Sequence, residues 1–287
     1  MKKLRKEIYT PTDLNNHLLF RLESNDRSLV RVIFCSRNLG DQGVRLLAEA
    51  LRGNCNLSAL DLSSNRIESE GAHSIASLLI HQNNMNSNLD MARGIKTLIL
   101  SENNLGDDGV RSVARALENN KSLESLWVDD NSIGAVGLKL LSHSLQKNQR
   151  LERLHLKHNS FQSLSPLIEC AFNKKSLNSV AESNHTLKHV FLNCGYSYEC
   201  DELERILKIN RLGKVEARRT KIAMYLEKHL SVLLQLDMDT LVLPRMLCII
   251  GQNGNMSTMY RLVQNLPSEL FLISRANNDD PMDVEYL

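Results

Sequence analysis

LSALDLSSNRI, residues 57–67, sets leucines at 57, 60 and 62, an asparagine at 65 and an isoleucine at 67. The same slots are filled again in IKTLILSENNL by Ile95, Leu98, Leu100, Asn103 and Leu105. LESLWVDDNSI fills them with Leu123, Leu126, Val128, Asn131 and Ile133, and LERLHLKHNSF with Leu151, Leu154, Leu156, Asn159 and Phe161. Upstream, LVRVIFCSRNL carries Leu29, Val32, Phe34 and Leu39, with Arg37 in place of the asparagine. Downstream, LKHVFLNCGYS carries Leu187, Val190 and Leu192, with Gly195 in that place. The interval is 28 residues from Leu29 to Leu57, from Ile95 to Leu123 and from Leu123 to Leu151. It stretches to 38 between Leu57 and Ile95, through HQNNMNSNLDMARG, and to 36 between Leu151 and Leu187, near NKKSLNSVAES. Recurrence at a fixed period in this range marks a solenoid.

The slots have separate physical duties. In the LxL core alternate side chains point to opposite faces, so it reads as a strand with Leu60 and Leu62 inward and Ala59, Asp61 and Ser63 outward. The asparagine turns the chain, because its short amide can satisfy backbone groups that a strand ladder leaves open. Asn65, Asn103, Asn131 and Asn159 are therefore expected to stack in a structural ladder. The second half of each copy reads as a helix: DQGVRLLAEALRGN, SEGAHSIASLLIHQ, DDGVRSVARALENN and AVGLKLLSHSLQKN place apolar residues three and four apart. In the third, Val110, Val113, Ala114 and Leu117 share a face. Asp41, Ser69 and Asp107 stand where N-caps of these helices are expected. Gly43, Gly71, Gly109 and Gly137 recur at one slot and predict close packing there; neither GxGxxG nor GxxxxGK[ST] spacing occurs to support a nucleotide loop.

A strand plus a helix every 28 residues, with LxxLxLxxN at its head, resembles the ribonuclease-inhibitor subclass of leucine-rich repeat proteins over roughly residues 29–210. LLFRLESNDRS, before residue 29, reads as the helix half of a preceding copy. No LxGxIP follows the asparagine slot, so the plant-type extracellular repeat fits poorly. The resemblance implies an α/β solenoid: a horseshoe with parallel strands on the concave face, helices on the convex face and a helical cap at the C-terminal end. Four segments are expected: a partial repeat or cap over 1–28, a repeat domain of about six units over 29–210, a helical cap over 211–272 and a disordered acidic tail over 273–287.

Composition narrows the function. A formal charge of +2 over 287 residues gives no global basic signal for nucleic acid. No apolar run approaches a membrane span, and MKKLRKEIYTPTDLNN lacks the apolar core of a signal peptide. The six cysteines, Cys35, Cys55, Cys170, Cys194, Cys200 and Cys248, form no CxxC pair and read as reduced thiols of a cytoplasmic protein. KVEARRTKIAMYLEKHLSVLL reads as an amphipathic helix with Val215, Ile222, Leu226, Leu230 and Leu233 on one face and Lys214, Arg218, Lys221 and Lys228 on another. That cationic face is either a solvated surface or a contact for an acidic partner or an anionic membrane. LDMDTLVLPRMLCIIGQNG and NMSTMYRLVQNLPSELF read as further helices.

Outward strand positions are not needed for the core and align into columns. The first holds Arg31, Ala59, Thr97, Ser125, Arg153 and His189; the second Ile33, Asp61, Ile99, Trp127, His155 and Phe191; the third Cys35, Ser63, Ser101, Asp129, Lys157 and Asn193. Trp127, the chain's single tryptophan, is expected to be an exposed anchor for a partner. The alternatives are that it stacks on His155 or is covered by the C-terminal helices. Asp61, Asp129, Asp130, Arg153, His155, Lys157 and Phe191 complete the candidate partner-binding patch, with Asp129 and Lys157 either free for a partner or paired across strands. His155, His158, His189 and Cys194 match no zinc spacing, so no metal or other cofactor is expected, and nothing marks a nucleophile with its base and oxyanion site. The resulting expectation is a non-catalytic, monomeric scaffold that binds a partner protein through its concave strand face. The alternative, implied by the resemblance, is a regulator of another enzyme, of GTPase-activating or inhibitor type.

Overall fold

A computed structural model describes residues 7–9, 14–85, 94–193 and 198–229. The backbone falls into two compact units. The first comprises residues up to Asn173 together with Glu182–Ala217; the second comprises Lys174–Ala181 and the chain from Arg218 onward.

In the first unit strands and helices alternate: β1 (Glu7–Tyr9), α1 (Asn16–Glu23), β2 (Leu29–Ile33), α2 (Gly40–Ala50), β3 (Ala59–Asp61), α3 (Ser69–Met85), β4 (Thr97–Ile99), α4 (Gly106–Leu117), β5 (Ser125–Trp127), α5 (Ala135–Lys147), β6 (Arg153–His155), α6 (Ser165–Ala171), β7 (His189–Phe191) and α8 (Tyr198–Asn210). The second unit contains α7 (Leu177–Ala181), and α9 runs over Lys214–Lys228. Among the described residues the strands form one seven-stranded sheet in sequence order, every pair parallel. From β2 to β7 the register joins equivalent slots, as in Leu98↔Leu126 and Leu126↔Leu154. From α1 to α6, and from α6 to α8, each helix packs on the helix of the neighbouring copy. This is the nearest-neighbour stacking of an α/β solenoid, in which a unit buries its apolar side only against the next. β1 adds a strand before Leu29, so the N-terminal segment carries a strand as well as the expected helix α1.

The repeated letters form the core. From Leu57 to Leu156 every leucine, isoleucine or valine of the template is at most 2% exposed. Phe161 departs and is half-buried, as are Val190 and Leu192 beside the last strand. The asparagines form the expected ladder. Asn131 Nδ2 donates to Leu100 O and Asp129 O, each at 2.9 Å, while its Oδ1 accepts from Leu105 N–H at 3.3 Å. Asn159 Oδ1 accepts from the N–H groups of Asn131 and Ile133, so each rung holds the turn of the copy before it. Asn65 and Asn103 repeat the pattern. These bonds satisfy buried backbone groups that the turn removes from water.

A second ladder runs beneath the helix C-termini. Asn148 Nδ2 donates to Leu117 O at 2.6 Å and Asn120 O at 3.2 Å, and its Oδ1 accepts from Arg150 and Leu151 N–H. Asn54 and Asn184 make equivalent bonds, and Gln82 of α3 donates to Leu51 O and Asn54 O where the long interval leaves no asparagine in register. Asp26 takes this slot before Leu29. Its carboxyl is lowered to about 2, first by the Ser28 hydroxyl, then by Ser28 N–H and by Arg21 at 2.7 Å.

The expected N-caps are placed differently. Asp41 and Asp107 lie inside the first turns of α2 and α4 and do not cap them. Asp107 Oδ1 instead accepts from Gly134 N–H at 2.7 Å and Gly137 N–H at 2.9 Å, capping the next helix, α5. Asp41 Oδ1 accepts in the same way from Glu68 N–H, just before α3. A carboxylate near a helix N-terminus is favourable, and here one group serves its own first turn electrostatically and its neighbour's by hydrogen bond. α6 is capped from the other side: Glu199 accepts from Leu164 N–H, Ser163 Oγ and Ser165 Oγ, and the Leu164 bond first of all lowers its pKa. The glycine slot is a close approach, as expected. A Cβ on Gly71 would stand 2.4 Å from Asp41 Oδ1, and one on Gly137 2.5 Å from Asp107 Oδ1.

In α9 the expected faces shift. Lys221 is fully buried and Val215 is 66% exposed, so neither the cationic nor the apolar stripe is continuous as read. Tyr225 and His229 stack with centroids 4.2 Å apart. The further C-terminal helices read over 236–254 and 255–271, and the acidic tail over 273–287, lie outside the described residues. Cys35 and Cys55 are free thiols, whereas Cys200 is disulfide-bonded, against the expectation of reduced thiols throughout.

Candidate partner-binding face

The parallel register brings the second column together on the strand face. Ile99 pairs with Trp127, Trp127 with His155, and His155 with Phe191. Adjacent strands are about 4.8 Å apart, within stacking reach for flat rings. The Trp127 and His155 centroids are 3.6 Å apart at 10°, and those of His155 and Phe191 4.0 Å apart at 18°. His189 adds a more distant ring, 6.3 Å from Phe191. The result is a ladder of rings across β5, β6 and β7.

Trp127 is thus half-buried and stacked, not free-standing as an exposed anchor. Its Nε1–H donates to Ser125 Oγ at 3.0 Å, fixing the indole from its own strand. His155 is 8% exposed, because both faces of its imidazole are covered. Burial first of all pulls its pKa below the ordinary value, Asp129 opposes this, and Lys157 and Arg153 reinforce it. The middle rung is therefore a neutral ring at pH 7.

The charges around the ladder divide into committed and uncommitted groups. Asp129 accepts from Lys157 N–H at 2.6 Å through Oδ1 and from the Ser101 hydroxyl at 3.2 Å through Oδ2. Its expected partner is thus the Lys157 backbone, not the Lys157 ammonium. Asp61 is turned onto Ser63, taking its N–H at 3.0 Å and its hydroxyl at 2.6 Å. The Arg153 guanidinium, the Lys157 ammonium and the exposed Asp130 carboxylate form no hydrogen bond or ion pair with any described residue. Arg153 stands two residues before His155 on β6 and so shares the ladder's face, while Lys157 lies in the turn just after the strand. Next to Lys157 a cleft of about 310 Å³ is lined by His158, Phe161, Asn193 and Glu199 among others, and Asn193 Nδ2 meets the His158 ring. Among the described residues no group of three or more His, Cys, Asp or Glu side chains gathers as a metal site would require.

A family model for leucine-rich repeats matches residues 53–76, 95–114 and 119–142. The chain carries leucine-rich repeats. Over 110 residues it is 36% identical to human "NACHT, LRR and PYD domains-containing protein 13"; the match covers 38% of this chain and 10% of that protein's length. Among solved structures it is similar to leiomodin-1 actin-binding site 2, with 17% identity, 72% of this chain and 94% of that one covered and a TM-score of 0.44. It is also similar to the tropomodulin C-terminal domain of Caenorhabditis elegans, with 14% identity, coverage of 71% and 96% and a TM-score of 0.46. Among the described residues of the repeat protein no helix is long and apolar enough to cross a membrane.

Proposed function

We propose that this repeat protein is a non-catalytic scaffold that binds a partner protein across its strand face, with the Trp127–His155–Phe191 ladder as the contact centre. The observation that carries this reading is the ring ladder itself, standing on outward strand positions that the core does not use. Stacked aromatics held at low conformational cost, with arginine beside them, are what interface hot spots are made of. Arg153, Lys157 and Asp130 supply charges that the fold leaves unspent. Phe191 and Trp127 offer apolar surface, His155 holds them in line, and Asp61 and Asp129 shape the rim. The repeat unit fits the ribonuclease-inhibitor-like subclass, and a single chain carries the whole patch, so a monomer suffices for binding. Cytoplasmic placement goes with the free thiols of Cys35 and Cys55. The Cys200 disulfide runs the other way, and thiol labelling of Cys200 in protein taken from cells decides between them.

The test is capture of partners from lysate on wild-type protein, on Trp127→Ala and on Arg111→Ala, which alters a helix-face residue. A partner retained by wild type and Arg111→Ala but lost by Trp127→Ala, with thermal melts showing all three folded, supports the reading. Partners retained by Trp127→Ala and lost by the helix-face change would move the interface to the other side of the solenoid.

A further inference from the structure

We infer that the segment seated on the ring ladder is an amphipathic α-helix with an apolar ridge and acidic flanks, running across the strands along the line Ile99, Trp127, His155 and Phe191. This rests on the proposed use of the ladder as a protein-binding surface and adds the chemistry of the occupant.

Spacing selects the helix. The ladder offers one apolar or ring group per strand on four consecutive strands, and neighbouring strands are about 4.8 Å apart. A helix advances about 5.4 Å per turn, nearer both to the strand spacing and to the 3.6 and 4.0 Å between the stacked rings than an extended peptide comes. An extended peptide presents same-side residues about 6.8 Å apart and falls out of step after one interval. An apolar ridge three and four residues apart is also the usual way a helix fills a groove.

Charge selects the flanks. Along the chain the neutral His155 ring lies between Arg153 on β6 and Lys157 in the turn that follows, and neither cation is matched inside the described protein. Asp129, the nearest carboxylate, has both oxygens engaged by Lys157 N–H and Ser101. Among the described residues Asp130 is a nearby carboxylate without such a bond, and it sits three residues beyond β5 at φ 51°. β6 and the turn after it therefore present two cations where a docking helix would carry its flanks, and complementary charge sets register and partner choice.

The probes are 18-residue alanine-based peptides without tryptophan, with leucine once per turn and flanking positions all Glu or all Lys. A third repeats the Glu peptide with a central proline. Trp127 is the chain's single tryptophan, so its emission reports occupancy of the ladder directly. The Glu helix is expected to bind at least tenfold more tightly than the Lys helix and than the proline-broken peptide. Arg153→Glu/Lys157→Glu should reverse the preference between Glu and Lys peptides while free-protein Trp127 emission and circular dichroism stay as in wild type. Equal binding of Glu and Lys peptides, undiminished binding of the proline peptide, or failure of all three to perturb Trp127 overturns the inference. The underlying reading is tested separately: a captured partner that is lost with Trp127→Ala but indifferent to the charge reversal leaves the scaffold standing and removes the acidic helix.

Discussion

Two ladders cross the same sheet, and they are built on opposite terms. At the ends of the strands the asparagines at 65, 103, 131 and 159 repeat without variation, and their amides bond to backbone groups of their own or the adjacent copy. In the second outward column the letter changes at every copy, yet three successive letters make one stacked surface. The asparagine ladder turns its hydrogen bonds inward, while the ring ladder leaves Arg153, Lys157 and Asp130 facing outward. Residues that recur hold the copies together; residues that differ but converge are available for recognition.

The sharpest way to break this contrast is Asn131→Ala. It leaves the buried N–H of Leu105 without a partner and takes one of the two bonds from Leu100 O, which Asn103 still serves, at roughly 1–3 kcal/mol for the unsatisfied group and about 1 kcal/mol for each further bond lost. A loss of about 3 kcal/mol is expected in urea unfolding, centred on the β4–β5 copies because stability in a repeat array is local. A loss under about 1 kcal/mol would mean that water replaces the amide and the ladder is dispensable.

Gly137→Ala comes next. The added methyl would stand 2.5 Å from Asp107 Oδ1 and 2.7 Å from Ile133 Cγ2. Relieving it means moving Asp107, which caps α5 through Gly134 and Gly137 N–H. Overpacking and a weakened cap together should cost about 2 kcal/mol, read as a lower thermal midpoint. Gly53→Ala, with nothing within 4 Å of the new Cβ, is the control and should stay within about 0.5–1 kcal/mol of wild type.

Trp127→Ala tests the other ladder. It removes one stacked contact and a half-buried indole, so stability should fall by only about 1.5 kcal/mol, while partner binding should fall by about 2 kcal/mol or more, some thirtyfold. A fall in stability larger than that of Asn131→Ala would show that the rings serve the fold first.

The repeated frame was legible because its determinants are local and periodic: template letters predicted strands, helices, core and the asparagine ladder. What escaped was non-local. Asp107 looks like a cap for the helix it begins, but its oxygen serves the helix 27 residues on, a partnership set by stacking. The second asparagine ladder was missed although it had a signal, an asparagine three residues before Leu57, Leu123, Leu151 and Leu187. β1 covers only three residues, Glu7–Tyr9, too short for alternation to stand out. In α9 an idealised wheel put Lys221 with the other cations, yet packing buries it. For the candidate patch, the columns predicted which residues meet but not how. Stacking geometry follows from χ angles, and the bond of Asp129 to the Lys157 backbone depends on strand offset, neither of which one-dimensional spacing encodes.

The smallest expected effect is also the most specific to the ring ladder. His155 is neutral in the fold because its ring faces are covered, and its pKa lies below 6.5. In the unfolded chain the imidazole takes a proton near its ordinary value, so as pH falls through 6.5 the unfolded state binds more protons and stability declines. The decline ends once pH passes the folded pKa, and above 6.5 stability is indifferent to this group. NMR titration of the His155 ring gives the folded pKa directly. Trp127→Ala uncovers one face and should move it back toward 6.5; Asp129→Asn removes the opposing carboxylate and should lower it further. If His155 titrates at or above 6.5 in wild type, its faces are solvated, the stack does not hold in solution, and the difference between an inward ladder of amides and an outward ladder of rings loses its middle rung.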